Sequence, residues 1–217
     1  MPVQRFTKLK DNEALEVIER LEKIYGDASY FLKFDTKVNL LVGAIIEART
    51  KDEVVKEITS ELFKRFHSAA DYSRMSEQEL LGYIKKSTFA SNKAKNIINA
   101  CKIIERDYGG NVPQSMEELV KLPGVGRKTA NTILINGFNI VEGMPIDTWA
   151  IRVSYRLGLT SNEDPDDVEE DLKRIVPKKY WRNFAYVLKA HGKAVCNVTP
   201  KCEVCPINDI CPKNQHG

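Results

Sequence analysis

The chain has 217 residues, 42% of them hydrophobic, and its 33 Lys and Arg residues slightly outnumber its 30 Asp and Glu residues, for a net charge of +3. This composition is that of a globular protein whose core needs no disulfide, and the charge is compatible with an acidic polymer as partner without requiring one. Charged residues near the start of the chain argue against a signal peptide, and the longest apolar run, Leu40 to Ile46, is far shorter than the roughly 20 residues of a membrane span, so a soluble intracellular protein is expected.

Most of the chain shows apolar residues at the 3.6-residue period of an amphipathic helix. The two clearest stripes are Ala14, Leu15, Ile18, Leu21 and Ile24, and then Val54, Val55, Ile58, Leu62, Phe63 and Phe66. Helix starts are indicated by the capping-box patterns at Ser76 and Ser115 and by Asp164, which precedes a proline. Period-two alternation is hard to find. The sequence therefore predicts an all-α protein with nine or ten short helices.

The segment from Leu122 to Ala130 reads Leu-Pro-Gly-Val-Gly-Arg-Lys-Thr-Ala and joins two predicted helices, Ser115 to Lys121 and Lys128 to Asn136. The turn at Gly124 and Gly126 would present free backbone N–H groups at a helix N-terminus, which is a site that binds phosphate. Glycine at both positions would let a DNA backbone approach closely. The alternative is an ordinary tight turn between two helices.

Four of the five cysteines crowd into the last 22 residues with the spacing C-x5-C-x2-C-x5-C. They are Cys196, Cys202, Cys205 and Cys211. Without an export signal, clustered thiols more often hold a metal than form disulfides, and four thiolates suit either a zinc ion or a 4Fe-4S cluster. Prolines beside them predict a loop. The fifth cysteine, Cys101, lies on an apolar helix face and is expected to be buried.

The Leu122 to Ala130 string is similar to the helix-hairpin-helix of the DNA glycosylase superfamily that includes the endonuclease III family. Three further features match: the segment Pro145 to Thr148, the predicted helix Ile151 to Leu157, and the terminal four-cysteine loop. Other matching segments extend the resemblance over roughly Asn12 to Cys211.

The resemblance implies a fold of two all-α domains with an active-site cleft between them. A six-helix barrel would occupy residues 29–140. Residues 1–28 and 141–217 would form the second domain, in which a loop over residues 195–212 holds a structural 4Fe-4S cluster on the four clustered cysteines.

The resemblance also places the family's catalytic lysine at Lys128 and its catalytic aspartate at Asp147. The neutral lysine amine would attack C1′ of a flipped nucleotide and displace the base, and the resulting iminium would promote β-elimination of the 3′ phosphate. The Asp147 carboxylate would stabilise positive charge on the sugar and help to move protons. The alternatives are a solvated surface lysine and an aspartate that only caps a helix. Relatives that only remove the base lack this lysine, so Lys128 favours an additional lyase activity.

Base flipping leaves a hole in the duplex that inserted side chains can fill. The resemblance implies that Arg49 fills this hole and that Phe89 forms the wedge against the opposite strand. The alternatives are a phosphate contact for Arg49 and a core position for Phe89. The hairpin is expected to make further contacts with DNA. Lysines of the cluster loop are expected to contact DNA phosphates. The residues are Leu122, Gly124, Gly126 and Thr129 in the hairpin and Lys193 and Lys201 near the cluster.

Three features of the sequence depart from the family pattern. Trp149 stands where histidine is common, which affects the expected substrate range. Five residues separate Cys196 from Cys202 where six are usual, which leaves zinc as an alternative to the cluster. The wedge loop, Ser87 to Ala90, differs from the typical Gly-Leu-Tyr, which affects the expected preference for the opposite base.

The expected function is a bifunctional DNA glycosylase and apurinic/apyrimidinic lyase that acts as a monomer on oxidised or damaged pyrimidines in duplex DNA, away from membranes. One alternative is a glycosylase of the same fold that acts on deaminated bases or mismatches. Others are a non-catalytic DNA-binding protein with a redox-sensing cluster, and a zinc-stabilised interaction module.

Overall fold

The computed structural model describes residues 6–215. All regular secondary structure in this part of the chain is helical, which confirms the predicted all-α class. The helices are α1 (Asp11–Tyr25), α2 (Lys37–Glu47), α3 (Asp52–Leu62), α4 (Ala69–Ser73), α5 (Glu77–Ile84), α6 (Ala90–Tyr108), α7 (Met116–Leu119), α8 (Arg127–Phe138), α9 (Thr148–Arg156), α10 (Pro165–Ile175) and α11 (Phe184–Ala194), with 3₁₀ turns at Lys178–Tyr180 and Cys202–Val204. The helices outnumber the expected nine or ten, and α4 is a short helix of five residues that no predicted stripe or N-cap signals.

The chain divides into two compact units. We call Phe31–Ile140 the inner unit because it is the middle of the sequence, and it contains α2 to α8. The outer unit consists of the chain up to Tyr30 and the chain from Val141, and it contains α1 and α9 to α11. The outer unit is therefore built from both ends of the sequence. The expected second domain also includes residues 1–5 and 216–217, which lie outside the described residues.

Helix α2 is the central helix of the inner unit. Every residue from Val38 to Glu47 is buried, and α3, α6 and α8 pack against it. A helix that is apolar on all sides requires such surroundings. The longest apolar run in the sequence is therefore a core helix, and no helix within residues 6–215 has the length and apolar character needed to cross a membrane. On α6, Cys101 is fully buried, as predicted.

Helix α11 is the centre of the outer unit, where α1 and α9 pack against it. The buried face of α1 consists of Ala14, Val17, Ile18 and Leu21. The predicted stripe is wrong for two of its members, since Leu15 is 39% and Ile24 is 47% exposed. Both lie at the edges of the buried face, where the period alone does not decide whether a residue is covered.

The predicted helix starts are confirmed at three positions. Ser76, Ser115 and Asp164 are the N-cap residues of α5, α7 and α10, and each accepts a hydrogen bond from a backbone N–H of the following turn. These bonds satisfy N–H groups that have no partner within the helix. Helix α7 ends at Leu119, earlier than predicted, so the hairpin that follows is longer.

Candidate active site and cluster loop

The two hairpin glycines have different structural requirements. Gly124 has a φ of 81°, and a Cβ atom there would lie 3.0 Å from the Asn96 Cβ. Gly126 has a φ of −96°, and a Cβ atom there would meet nothing within 4 Å. The fold therefore requires glycine at position 124. At position 126, only a molecule approaching from outside would require it.

The hairpin ends at the N-terminus of α8. The first helical hydrogen bond runs from the Ala130 N–H to the Gly126 carbonyl, at 2.9 Å. The N–H groups of Lys128 and Thr129 therefore lie before the helical ladder, and the N-cap residue has no side chain to accept their hydrogen bonds. The side chains of Thr129 and Leu122 are buried. Any contact of these two residues with DNA would be made by their backbones.

Lys128, the second residue of α8, forms a partly buried ion pair. Its Nζ donates a hydrogen bond to Glu47 Oε1 at 2.6 Å, and the two side chains are 26% and 9% exposed. Lys128 is therefore not a solvated surface lysine. Glu47 was not predicted as a site residue, although it is a charged residue directly after the longest apolar run in the sequence.

Asp147 is the N-cap residue of α9. Its Oδ1 accepts hydrogen bonds from the N–H groups of Trp149 and Ala150, both at 2.9 Å. The other oxygen, Oδ2, lies 3.8 Å from Lys189 Nζ. The predicted capping role is confirmed, and it uses only one carboxylate oxygen. Lys189 was not predicted, since nothing in the sequence connects α11 to Asp147.

Trp149 fills the position where histidine is common. Its ring lies 4.4 Å below the Arg152 guanidinium, which is a cation–π contact. A Cβ atom on Gly192 would lie 2.6 Å from Trp149 Cε3, so the ring packs directly on α11. Trp149 is thus held within the outer unit by these contacts.

Arg49 and Phe89 are presented by unusual backbone conformations. Both have a φ of 55°, which is uncommon for residues other than glycine. Phe89 is 58% exposed, so the alternative of a core aromatic is wrong. The Arg49 guanidinium lies 6.0 Å from the centroid of the Phe89 ring, and both residues line a cavity of about 380 Å³.

A buried lysine connects the segments that carry Arg49 and Phe89. Lys93 Nζ donates to two backbone carbonyls at the end of α2, at 2.7 and 2.6 Å, and to Thr50 Oγ1 at 2.8 Å. The Thr88 hydroxyl donates to the Arg49 carbonyl at 2.8 Å. Lys93 is 5% exposed, and burial lowers its pKa to about 8. The sequence offers one signal for this role, a lysine on the apolar face of α6.

The four clustered cysteines line a single cavity of about 410 Å³. A tetrahedral zinc site would place each sulfur about 2.3 Å from one point. Within the described part of the chain, no three His, Cys, Asp or Glu side chains are grouped closely enough to hold one metal ion. The cavity therefore places the four cysteines around one space, and their thiolates are ligands that suit an iron–sulfur cluster.

Hydrogen-bond donors lie beside the cysteines of this cavity. Arg156 donates to the carbonyls of Cys196 and Val198, at 3.4 and 3.2 Å, and lies 3.9 Å from Cys196 Sγ. The Lys213 N–H donates to Cys211 Sγ at 3.4 Å. Burial raises the pKa of the Cys211 thiol to about 11. These donors would stabilise thiolates that ligate a cluster.

Comparison with known protein families gives two matches. Residues 42–178 match the HhH-GPD superfamily base excision DNA repair proteins, and residues 198–211 match the iron-sulfur binding domain of endonuclease III. The second segment contains three of the four clustered cysteines, and Cys196 lies just before it. The protein is therefore a 4Fe-4S protein, and the zinc alternative is not supported.

Relatives and solved structures agree with these matches. Endonuclease III of Synechocystis sp. is 42% identical over 197 residues, covering 90% of each chain, and that of Bacillus subtilis is 36% identical over 190 residues, covering 87% of this chain and 86% of the relative. The structure of a trapped endonuclease III–DNA covalent intermediate has a TM-score of 0.90 and 31% identity, covering 95% of this chain and 97% of that one. A thermostable thymine-DNA glycosylase shares the fold, with a TM-score of 0.80 and 22% identity, covering 94% and 97% of the two chains. The chain belongs to the endonuclease III family of HhH-GPD base excision DNA repair proteins.

Proposed function

We propose that this protein is a bifunctional DNA glycosylase and apurinic/apyrimidinic lyase that removes oxidised or damaged pyrimidines from duplex DNA and nicks the strand. The family membership supports the glycosylase and lyase activities. A covalent endonuclease III–DNA intermediate has been trapped for a structural neighbour. The observation that carries the lyase assignment is the partly buried Lys128 amine at the start of α8, directly after the hairpin.

Lys128 is the proposed nucleophile. Its nitrogen attacks C1′ of the flipped nucleotide, and the bond from C1′ to the base breaks with its electron pair leaving on the base. The sugar ring opens to an iminium linked to Lys128, which acidifies the C2′ proton. Loss of that proton expels the 3′ phosphate and cuts the strand without a water nucleophile.

Asp147 is the proposed charge-stabilising residue. A carboxylate near the sugar stabilises the positive charge that develops as the base leaves, and it can move protons during the reaction. The N-cap hydrogen bonds fix the orientation of the carboxyl group and occupy Oδ1. The proposed catalytic atom is therefore Oδ2.

Arg49 and Phe89 are the proposed insertion residues. Arg49 fills the space left by the flipped base, and Phe89 forms a wedge against the opposite strand. This proposal is supported by the exposure of both side chains, by their proximity and by their left-handed backbone conformations. The N–H groups at the start of α8 and the exposed Lys201 would bind phosphates, as would the backbone near Gly124 and Gly126.

The proposed ligands of the 4Fe-4S cluster are Cys196, Cys202, Cys205 and Cys211. The cluster would hold the C-terminal loop in shape, and the reaction at the sugar needs no electron transfer.

The inner unit corresponds to the proposed barrel domain, residues 29–140, and the outer unit to the proposed cluster domain. The protein is proposed to act as a monomer on chromosomal DNA inside the cell.

Borohydride trapping tests the lyase assignment. The protein is incubated with a duplex that carries one abasic site, and borohydride then reduces any Schiff base to a stable covalent complex. Wild type should give this complex and Lys128→Ala should not. Lys102→Ala, which removes an exposed lysine from α6, is the matched control and should trap like wild type.

Two results would contradict the assignment. A wild-type protein that binds the abasic duplex without trapping would be a monofunctional glycosylase or a DNA-binding protein. Trapping that persists in Lys128→Ala would move the nucleophile to another amine, and Lys189 beside Asp147 would be the first to test. A panel of duplexes with oxidised pyrimidines, deaminated bases or mismatches then identifies the base that is released.

A further inference from the structure

A carboxyl group lies directly against the amine on which the proposed reaction depends. Lys128 Nζ and Glu47 Oε1 are 2.6 Å apart, a separation that leaves no space for an intervening water. Glu47 is 9% exposed, so solvent has little access to the carboxylate. A proton on Lys128 Nζ therefore has a direct acceptor within the protein.

The surroundings of Glu47 define its charge environment. Lys128 on α8 donates to it, and Lys93 on α6 interacts with it electrostatically. Lys93 directs three hydrogen bonds to oxygens of other residues, so the ammonium bonded to Glu47 Oε1 is that of Lys128. Helix α3, which also packs against α2, carries Asp52 and Glu53 in its first turn.

The position of Glu47 in α2 fixes this contact. Glu47 is the last residue of that helix, and it is buried where α8 packs against α2. Its side chain therefore meets Lys128 rather than solvent.

We propose that Glu47 is a second catalytic carboxylate, which takes the proton from Lys128 and so releases the amine for attack on C1′. This inference rests on the proposed lyase function. Asp147 keeps its proposed role of stabilising charge on the sugar, and Glu47 acts on the nucleophile itself.

The proton inventory balances for an abasic site. The Nζ–H bond breaks and an Oε1–H bond forms, so the ammonium–carboxylate pair becomes an amine–carboxylic acid pair. The Nζ lone pair then forms the bond to C1′ while the C=O electron pair moves to oxygen. Transfer of a proton from nitrogen to that oxygen gives a carbinolamine. Glu47 returns its proton to the hydroxyl group, which leaves as water when the iminium forms.

The test compares trapping rates of the holoenzyme with Glu47→Gln, which keeps an acceptor oxygen but takes up no proton. Rates are measured on an abasic duplex with enzyme in excess, from about pH 6 to about pH 9. We expect Glu47→Gln to trap about tenfold or more slowly at neutral pH. The deficit should shrink with rising pH, because the neutral fraction of an unassisted lysine rises about tenfold per pH unit. Glu47→Asp should retain the wild-type profile at a reduced rate.

The matched control is Glu61→Gln, which makes the same change at an exposed carboxylate that pairs with Lys64 at 2.8 Å. It should trap like wild type at every pH. Thermal unfolding and affinity for a duplex with a reduced, uncleavable abasic site show whether each variant is folded. If Glu47→Gln is unfolded, Glu47→Asp decides by its pH profile.

The inference is overturned if folded Glu47→Gln traps as fast as wild type, or faster, at neutral pH. The carboxylate would then only hold Lys128 in its charged form. A Glu47→Asp profile as steep as that of an unassisted lysine would also overturn it. Failure of wild type itself to trap is a different result, since it removes the lyase function on which the inference rests.

Discussion

Asp147 shows how one side chain can serve both the fold and the proposed chemistry. Oδ1 accepts the two N–H groups that begin α9, and Oδ2 lies beside Lys189 Nζ. Asn caps helices about as well as Asp, so Asp147→Asn should change the free energy of unfolding by less than about 0.5 kcal/mol. The neutral amide carries no negative charge, so the trapping rate should fall by about 100-fold or more. Thermal unfolding and borohydride trapping measure the two effects.

The control for this prediction is Asp147→Ala. It removes the cap as well as the charge, so it should lose about 1 kcal/mol of stability in addition to the rate. If Asp147→Asn keeps the wild-type rate, then Asp147 is only a helix cap and the catalytic assignment is wrong.

Residues of the candidate site could be proposed from the sequence where one local motif contains them. Lys128 follows the hairpin glycines, and Asp147 precedes a predicted helix. Their partners could not be predicted in this way, because Lys128 and Glu47 are 81 positions apart and meet only when α2 packs against α8. The partners of Lys93 could not be predicted either, since its acceptors lie at and just after the end of α2, more than 40 positions earlier in the chain.

At the scale of elements, the hairpin glycines provide a matched pair of substitutions. Gly124→Ala forces a left-handed alanine against Asn96, so it should destabilise the protein by about 1–2 kcal/mol. Gly126→Ala has open space and an ordinary φ, so it should leave stability nearly unchanged and weaken DNA binding several-fold. Urea unfolding and fluorescence anisotropy with a labelled duplex check both results. Wild-type affinity in Gly126→Ala would show that DNA does not approach this position.

Lys93 should be essential to the geometry at the end of α2. Lys93→Met removes an ammonium that holds two backbone carbonyls and Thr50 Oγ1. We expect a loss of about 3 kcal/mol in urea unfolding, because the buried carbonyls lose a charged donor. Lys95→Met, an exposed position on the same helix, is the control and should change stability little. Equal stability of both variants would contradict the structural role of Lys93.

Helix patterns explain which elements were predictable. Amphipathic stripes predicted α1 and α3, and N-cap residues predicted the starts of α5, α7 and α10, since both signals are local. Helix α4 is too short to show a period, and the ends of the α1 stripe depended on how neighbouring helices cover it. Helix α2 is apolar over most of its length, so its short apolar run argued against a membrane span but did not predict that α2 is the central helix of its unit.

At the scale of the whole molecule, the terminal loop is held by contacts with distant parts of the outer unit. The Asn214 side chain accepts from the Thr7 N–H and donates to the Thr7 carbonyl, both at 2.8 Å, and Arg156 binds carbonyls of the loop. A bound cluster would add covalent links among the four cysteines. Cys202→Ser should therefore lose iron and sulfide and lower the unfolding temperature. Full iron content in the purified variant would remove Cys202 from the ligand set.

The net charge of +3 is small for a DNA-binding protein, so affinity must depend on where the positive charges lie. Lys201 is exposed beside the cluster cavity, where a phosphate contact would be independent of sequence and damage. Lys201→Ala should therefore weaken binding to intact and abasic duplexes by the same factor.

The salt dependence identifies the contact as electrostatic. Losing one phosphate contact should reduce the slope of log affinity against log salt by about 0.9, while Lys8→Ala, an exposed lysine elsewhere in the outer unit, should leave the slope unchanged. Weaker binding only to the abasic duplex would mean that Lys201 takes part in damage recognition. An unchanged slope in both variants would mean that the cluster loop does not bind phosphate through Lys201.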